Sequence, residues 1–144
     1  MEQNVNQITK GLWLGNKIIA KDKQFFEKNS ISHVINVSDH INNFFENNPN
    51  IWYLRIPINN KESDIIVLKS YLNKIFNFIN EAIINNKNVL VHCKKGHRSS
   101  AMIVAYYLMK KYKCSFEMAK IKIQSKRINT LKEPLILKDA LLDK

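Results

Sequence analysis

Residues 92–99 of this 144-residue chain read His-Cys-Lys-Lys-Gly-His-Arg-Ser and carry the side chains best suited to chemistry. They follow the apolar run Val89-Leu90-Val91, and apolar residues at helical spacing come after them. This order predicts a strand, a short polar loop with a glycine, and a helix. Backbone N–H groups at the start of a helix converge on an anion, and the helix dipole favours negative charge there. The segment is therefore predicted to bind phosphate.

Cys93 is predicted to be the nucleophile because it stands at the base of this loop. The field that attracts phosphate also favours the thiolate, and a thiolate below a phosphoryl group can attack phosphorus and form a phosphocysteine. The planar fork of Arg98 can bind two phosphoryl oxygens. Ser99 can donate a hydrogen bond to the departing sulfur, and His92, on the strand side, can hold the loop backbone in shape.

The residues predicted to contact the bound substrate are His92, Lys94, Lys95, Gly96, His97 and Ser99. The lysine pair has two interpretations. It raises affinity for multiply phosphorylated or lipid-phosphate substrates, or it is solvated and reflects a lysine-rich composition, which is the preferred interpretation. A single cysteine or histidine beside a strand is usually a packing residue. The combination of strand, His-Cys, Lys-Lys-Gly, Arg-Ser-Ser and helix is much more specific and favours the phosphate loop.

Alternating strands and helices must position this loop. The predicted strands are β-branched or apolar runs at 12–15, 33–38, 52–57 and 89–91, with 12–15 at a sheet edge and 18–20 as a further short strand. The predicted helices cover 21–29, 65–84, 100–111, a segment capped by Ser115, and 135–142 with Pro134 in its first turn. The alternation predicts the α/β class, with one domain over residues 1–144 and a mainly parallel central sheet of four to five strands flanked by helices. The phosphate loop would join the last strand to a helix.

Composition and charge narrow the class of protein. Apolar residues make up 45% of the chain, which indicates a globular protein. The two cysteines, Cys93 and Cys114, form no CxxC pair, so neither a disulfide framework nor structural zinc is expected, and no cofactor is predicted. No apolar run approaches the roughly 18 residues of a membrane helix, and the polar N-terminus is unlike a signal peptide, so an intracellular location (cytoplasm, nucleus or virion interior) is expected. The net charge of +11 either attracts a polyanion or a phosphorylated partner, or serves general solubility.

Several motifs resemble the dual-specificity protein phosphatases, and the likeness extends over nearly the whole chain. It is carried by the run from Val89 to Cys93 with Gly96 and Arg98-Ser99, and by residues 12–15, 34–37, 53–58 and 64–65. Residues 98–106 are especially similar to small viral members. The resemblance implies a metal-independent hydrolase of phosphotyrosine and phosphoserine/threonine in proteins, working through a phosphocysteine.

The spacing of the loop departs from this family pattern. The family places five residues between the cysteine and the arginine, whereas Lys94 to His97 supply only four between Cys93 and Arg98. Either the loop has lost one residue, or Arg98 and Ser99 have exchanged order and Ser99 occupies the arginine position.

The general acid departs from the pattern as well. The family usually has an aspartate three residues after the proline of its Ile-Pro strand, and here Pro57 leads to Asn60. An asparagine cannot protonate a leaving oxygen, and general acid catalysis is typically worth about 10²–10⁴ in rate. Asp64 and Glu62 are the nearby carboxylates that can substitute. Asp64 is the predicted acid, although it also suits a cap for the helix that follows.

Three functions compete on these residues. The first is an active dual-specificity protein phosphatase acting on phosphorylated proteins. The second is a catalytically weak module that binds phosphoproteins, supported by the loop spacing and the missing aspartate. The third is a phosphatase of RNA 5′-ends or phosphoinositides, suggested by the net charge of +11 and the lysine pair. The chain has no aromatic-interleaved basic stripe, which counts against RNA.

Overall fold

A five-stranded, mainly parallel sheet forms the centre of the fold in a computed structural model, which describes residues 3–142. The strands are β1 (Val5–Thr9), β2 (Leu12–Gly15), β3 (Ile31–Val37), β4 (Trp52–Ile56) and β5 (Asn88–His92). Their order across the sheet is β1-β2-β5-β3-β4. Only the β1–β2 pair is antiparallel, and the other three pairs are parallel. The predicted α/β class and mainly parallel sheet are confirmed.

In the described part of the chain, five α-helices flank the sheet: α1 (Lys23–Lys28), α2 (Asp64–Ile84), α3 (Ser99–Tyr112), α4 (Phe116–Lys126) and α5 (Lys138–Leu142). Side-chain caps begin two of them, because Asp22 accepts a hydrogen bond from Phe25 N and Ser115 accepts one from Met118 N, each at 3.1 Å. Each cap satisfies a backbone donor that has no partner within its helix. The predicted cap at Ser115 is therefore confirmed.

Three local predictions were wrong. Strand β1 was missed because its polar residues hide the pattern, and it takes the edge position that had been given to β2. The segment expected as a strand at 18–20 instead forms part of a 3-10 helix, Ile19–Lys21. Pro134 lies outside the last helix, which begins only at Lys138.

The core lies between the sheet and helices α2 and α3. Leu68, Ile75 and Ile79 on one face of α2 are fully buried, as their three- and four-residue spacing predicts. Helix α3 is buried along most of its length, including Ser99 and Ser100 in its first turn. A smaller apolar cluster around Phe26 and Leu90 covers the other face. No helix within residues 3–142 combines the length and the apolar character that a membrane crossing requires.

The parallel register brings four loops to one edge of the sheet. Gly15 of β2 and Asn36 of β3 both stand opposite His92 at the end of β5. Val37 of β3 in turn stands opposite Ile56 at the end of β4. Because carboxyl ends of parallel strands share an edge, the segments after β2, β3, β4 and β5 meet there.

Candidate active site

The loop between β5 and α3 is held from outside by its carbonyl groups. Lys17 N donates to the Lys94 carbonyl at 3.1 Å, and Leu131 N donates to the His97 carbonyl at 2.8 Å. Between them, the buried guanidinium of Arg127 donates to the carbonyls of Lys95 and Gly96, at 3.0 and 2.9 Å. Four successive carbonyls therefore point away from the interior of the loop.

The orientation of these carbonyls fixes the orientation of the next amides. In a planar trans peptide the C=O and the following N–H point in opposite directions. The N–H groups of residues 95–98 are therefore turned inward, and one of them, Gly96 N, donates to Cys93 Sγ at 3.2 Å. Successive inward N–H groups at a helix start form a concave anion site. The loop thus has the backbone of the predicted phosphate site.

Cys93 lies at the bottom of this concavity and is 8% exposed. Besides Gly96 N, its sulfur has the Ser100 hydroxyl at 3.0 Å. The predicted hydrogen bond from Ser99 to this sulfur was therefore wrong by one residue, since Ser100 occupies that position. A hydroxyl beside the sulfur can stabilise the thiolate by donating a hydrogen bond to it.

Gly96 is required at its position for two reasons. Its φ of +73° lies in the left-handed region, which side-chain-bearing residues rarely adopt. A Cβ atom there would also stand 2.5 Å from the carbonyl oxygen of Gly15, the last residue of β2. The close approach of the loop to the end of β2 depends on this glycine.

Arg98 stands at the rim of the loop and is exposed. Its Nε donates to the Lys132 carbonyl at 3.2 Å. Its two terminal amino groups have no hydrogen-bond partner among residues 3–142. Ser99, which begins α3, is buried in the position just before Ser100. This register favours the exchanged order, with Ser99 where the family pattern has its arginine.

A cleft of about 200 Å³ opens above Cys93. Its lining comes from the end of β3, the start of α3 and the loops after β3, β4 and β5: Val37, Ser38, His40, Ile58, Asn59, Asn60, Cys93, Lys94, Lys95, His97, Arg98 and Ser99. Three of these residues are lysine or arginine and two are histidine, while none of these lining residues is a carboxylate. The cleft is suited to an anion of phosphate size.

The expected acid position holds amides. Asn59 and Asn60 line the cleft, whereas Asp64 and Glu62 are not among its lining residues. Asp64 is 5% exposed, and its Oδ2 accepts a hydrogen bond from Asn59 N at 2.7 Å, so it fixes the loop after β4. This placement argues against Asp64 as the acid. Asp64 is also not the N-cap residue of α2, because it is the first residue of the helix and Ser63 precedes it at the N-cap position.

His92 ends β5 and is 1% exposed. Burial lowers the pKa of His92, a hydrogen bond with the Cys93 backbone offsets part of this change, and the positive charge of Arg55 lowers the pKa again, so that the net value is about 4. Its Nδ1 makes no hydrogen bond of acceptable geometry within the described part of the chain. His92 is therefore a neutral, buried support beneath the loop and does not line the cleft.

Comparison with known proteins places this geometry in a family. Residues 12–143 match the family described as "Dual specificity phosphatase, catalytic domain". The chain belongs to the dual specificity phosphatase family.

Within residues 3–142, no group of three or more His, Cys, Asp or Glu side chains is arranged to hold a metal ion.

Two curated relatives show how this dual specificity phosphatase domain compares with longer proteins. It is 31% identical over 121 residues to "Protein phosphatase Slingshot" of Drosophila melanogaster, covering 84% of this chain and 11% of the relative. It is 32% identical over 123 residues to human "Dual specificity protein phosphatase 9", covering 85% of this chain and 32% of the relative. The chain therefore spans a third or less of the length of these two proteins.

Three solved structures share the fold of this chain. The crystal structure of human DUSP28 superposes with a TM-score of 0.87 at 20% identity, covering 99% of this chain and 93% of that one. The crystal structure of DUSP15 gives a TM-score of 0.84 at 28% identity, covering 96% and 86%. A third, PTPMT1 in complex with PI(5)P, gives a TM-score of 0.79 at 20% identity, covering 97% and 94%.

Sequence reasoning missed three parts of this phosphatase site. Ser100 was overlooked because the Arg98-Ser99 pair imitates the family order. Arg127 supports the loop from 29 residues beyond it in sequence, and only its burial distinguishes it from the chain's many exposed cations. The turn at residues 38–43 supplies one cleft wall, and one Ser, one Asp and two Asn residues in that segment were its sequence signal.

Proposed function

We propose that this chain is a protein phosphatase that hydrolyses phosphotyrosine and phosphoserine/threonine through a phosphocysteine on Cys93. The observation that carries the proposal is the position of the Cys93 sulfur, with Gly96 N at 3.2 Å and Ser100 Oγ at 3.0 Å, below a cleft lined by cations. Family membership over residues 12–143 supports the same activity.

The reaction proceeds in two displacements at phosphorus. The Cys93 thiolate attacks the phosphoryl group held by the inward N–H groups, and the bond between phosphorus and the leaving oxygen breaks. Water then attacks the phosphocysteine, which releases phosphate and returns the thiolate. The free amino groups of Arg98 at the cleft rim are placed to bind phosphoryl oxygens from outside the loop.

A second function, phosphoprotein binding with little turnover, is favoured by one specific feature. Ser99 stands at the position where the family pattern has its arginine, directly before Ser100. Arg98 lies at the rim of the loop, where it donates to the Lys132 carbonyl. An arginine displaced by about 1 Å can already cost around a hundredfold in rate. The phosphate site would remain, because backbone N–H groups form it.

Turnover and binding separate these two functions. The protein is tested on an aryl phosphate with a good leaving group and on a phosphotyrosine peptide, beside Cys93→Ser and, as the matched control, Cys114→Ser. Cys114 is half-buried away from the cleft, and its sulfur faces the Leu108 carbonyl at 3.6 Å. Hydrolysis that is lost only in Cys93→Ser is expected. Peptide binding without hydrolysis of either ester would overturn the phosphatase and leave the binding module.

The displaced arginine gives an independent test. In the double variant Arg98→Ser/Ser99→Arg the guanidinium moves to the family position, and a bidentate clamp on the phosphoryl group should raise kcat/KM at least tenfold. Competition by inositol phosphates and by 5′-phosphorylated RNA, measured on the same protein, tests the third candidate substrate class. Inhibition no stronger than that of inorganic phosphate is expected from both.

A further inference from the structure

The cleft has no carboxylate among its lining residues, but it has two histidines that can act as proton donors. Asn59 and Asn60 cannot donate a proton to a leaving oxygen, Asp64 is occupied by Asn59 N, and Glu62 does not line the cleft. The lining side chains that exchange protons at all are Cys93, Lys94, Lys95, His97 and His40. An ammonium group releases its proton roughly four orders of magnitude less readily than an imidazolium, which leaves the histidines.

The turn that carries His40 is held rigidly at the carboxyl end of β3. Asn36, which is fully buried, donates through Nδ2 to the Ile41 carbonyl at 2.7 Å and to Asn43 Oδ1 at 2.8 Å. Ser38 Oγ donates to Asn36 Oδ1 and accepts from Ile41 N, both at 2.9 Å. The backbone on both sides of His40 is thereby fixed.

Arg55 of β4 adds a second clamp on the same turn. Its guanidinium donates to the Ser38 carbonyl at 3.0 Å and to the Ile41 carbonyl at 2.7 Å. These two carbonyls bracket Asp39 and His40. A catalytic group needs this kind of support, since small displacements of a reacting group cost large factors in rate.

Asp39 orients the His40 ring within this turn. The Asp39 carboxylate Oδ1 and His40 Nδ1 are 2.9 Å apart, and the hydrogen bond to His40 lowers the pKa of Asp39. A carboxylate on Nδ1 fixes the tautomer and leaves Nε2 as the nitrogen available to the cleft. The His40 side chain is 58% exposed, so it lies at the mouth of the cleft, whereas Cys93 lies at the bottom.

An in-line attack from Cys93 directs the leaving group toward the mouth. His97 belongs to the loop itself, among the amides that surround the phosphoryl oxygens, whereas His40 stands on a separate wall. Lys94, Lys95 and Arg98 on the loop face the same cleft as His40, and Lys61 interacts with Asp39 from the neighbouring turn. Among residues 3–142, Asp39 is the carboxylate in hydrogen-bond contact with His40.

We propose that His40, positioned by Asp39, is the general acid of this phosphatase in place of an aspartate at Asn60. The proposal rests on the proposed function. As Cys93 Sγ bonds to phosphorus, the phosphorus–oxygen bond breaks and the leaving oxygen takes the proton from His40 Nε2. In the second step, neutral His40 accepts a proton from the attacking water while the sulfur–phosphorus bond breaks. Both residues return to their starting forms.

The test uses a series of aryl phosphates whose leaving groups range from nitrophenol to unsubstituted phenol. General acid catalysis matters most for poor leaving groups. His40→Gln should therefore lower kcat on phenyl phosphate about a hundredfold, while the change on the most activated ester stays below about threefold. Asp39→Asn should also lower kcat more on phenyl phosphate than on the most activated ester, but by a smaller factor than His40→Gln. His33→Gln is the matched control, because His33 stacks on Trp52 at the opposite end of β3.

A rescue variant completes the test. An aspartate at Asn60 in the double variant His40→Gln/Asn60→Asp should restore the rate on phenyl phosphate, because it supplies a proton donor from another wall of the cleft. If His40→Gln changes all esters by the same factor, or none, His40 is not the acid. If the unmodified protein fails to hydrolyse even the most activated ester, the proposed phosphatase function is overturned, and the role of His40 with it.

Discussion

Two adjacent serines at the start of α3 have different surroundings, and the difference can be measured. Ser100 Oγ is 3.0 Å from Cys93 Sγ, whereas Ser99 makes no such contact. A hydrogen bond to the leaving thiolate assists the breakdown of the phosphocysteine. Ser100→Ala should slow that step about tenfold to a hundredfold and produce a burst of the first product in rapid kinetics. Ser99→Ala is the matched control, and a larger burst in this control would contradict the assigned register.

His92 couples the stability of the fold to acid. Its pKa is about 4 in the folded chain, below the ordinary value of 6.5. The unfolded chain therefore binds this proton more tightly, so stability is full above pH 6.5 and falls as the pH drops from 6.5 toward 4. At pH 5 the loss from this one residue is on the order of 2 kcal/mol.

Urea unfolding at pH 7 and pH 5 measures this coupling. His92→Asn should lose less stability than the unmodified protein between the two values, even if its stability at pH 7 is lower. Lys126→Gln, a change at an exposed position, serves as the control and should lose as much stability between pH 7 and pH 5 as the unmodified protein. If His92→Asn loses as much stability between pH 7 and pH 5 as the unmodified protein, another group is responsible. The half-buried His33 is such a group, because burial lowers its pKa as well.

At the scale of elements, α4 and the chain after it act on the loop through Arg127. This guanidinium donates to the carbonyls of Lys95, Gly96 and Gln3 and to Asn6 Oδ1, at 2.8 to 3.0 Å. It therefore joins the end of α4, the first strand and the phosphate loop. A buried acceptor that loses its donor costs about 1–3 kcal/mol.

Arg127→Leu should lower the free energy of unfolding by about 3 kcal/mol, because one buried and three part-buried acceptors lose their donor together. The loop carbonyls would no longer be held outward, so KM for an aryl phosphate should also rise. Urea unfolding and steady-state kinetics check the two effects. Lys126→Leu, one position earlier and exposed, is the control and should leave both nearly unchanged. Normal stability of Arg127→Leu would contradict the bracing role.

The elements that could be predicted from the sequence are those with a strong local pattern. The spacing of Leu68, Ile75 and Ile79 predicts α2, and the run before Cys93 predicts β5. Strand β1 could not be predicted in this way, because its place depends on pairing with β2 and its own sequence is half polar. Contacts between distant segments could not be predicted from the sequence either, and these include the hydrogen bonds of Arg127 to the loop and of Arg55 to the turn that carries His40.

The whole molecule carries a net charge of +11, and the cleft is one of the places where that charge is concentrated. Lys94 and Lys95 line the cleft but are exposed, so their interaction with a bound ligand is screened by salt. These two lysines act on a ligand either because they lie beside it or because they add to the overall positive charge of the protein. A pair of lysines far from the cleft separates these two effects. Lys10 and Lys87 are also exposed, and they lie at the opposite edge of the sheet, just before β2 and β5.

Two double variants with the same net charge separate local from general attraction. Lys94→Gln/Lys95→Gln and Lys10→Gln/Lys87→Gln each lower the charge from +11 by two, to +9. KM for an acidic phosphopeptide should rise with salt in the unmodified protein, as the screening length falls from about 10 Å at 0.1 M to about 3 Å at 1 M. The loop variant should raise KM at 0.1 M about threefold to tenfold and flatten the salt dependence, because charges beside a bound ligand govern its attraction. The control should change KM less than about twofold. Equal effects of the two pairs would show that the lysines of the loop act only through the overall charge of the molecule.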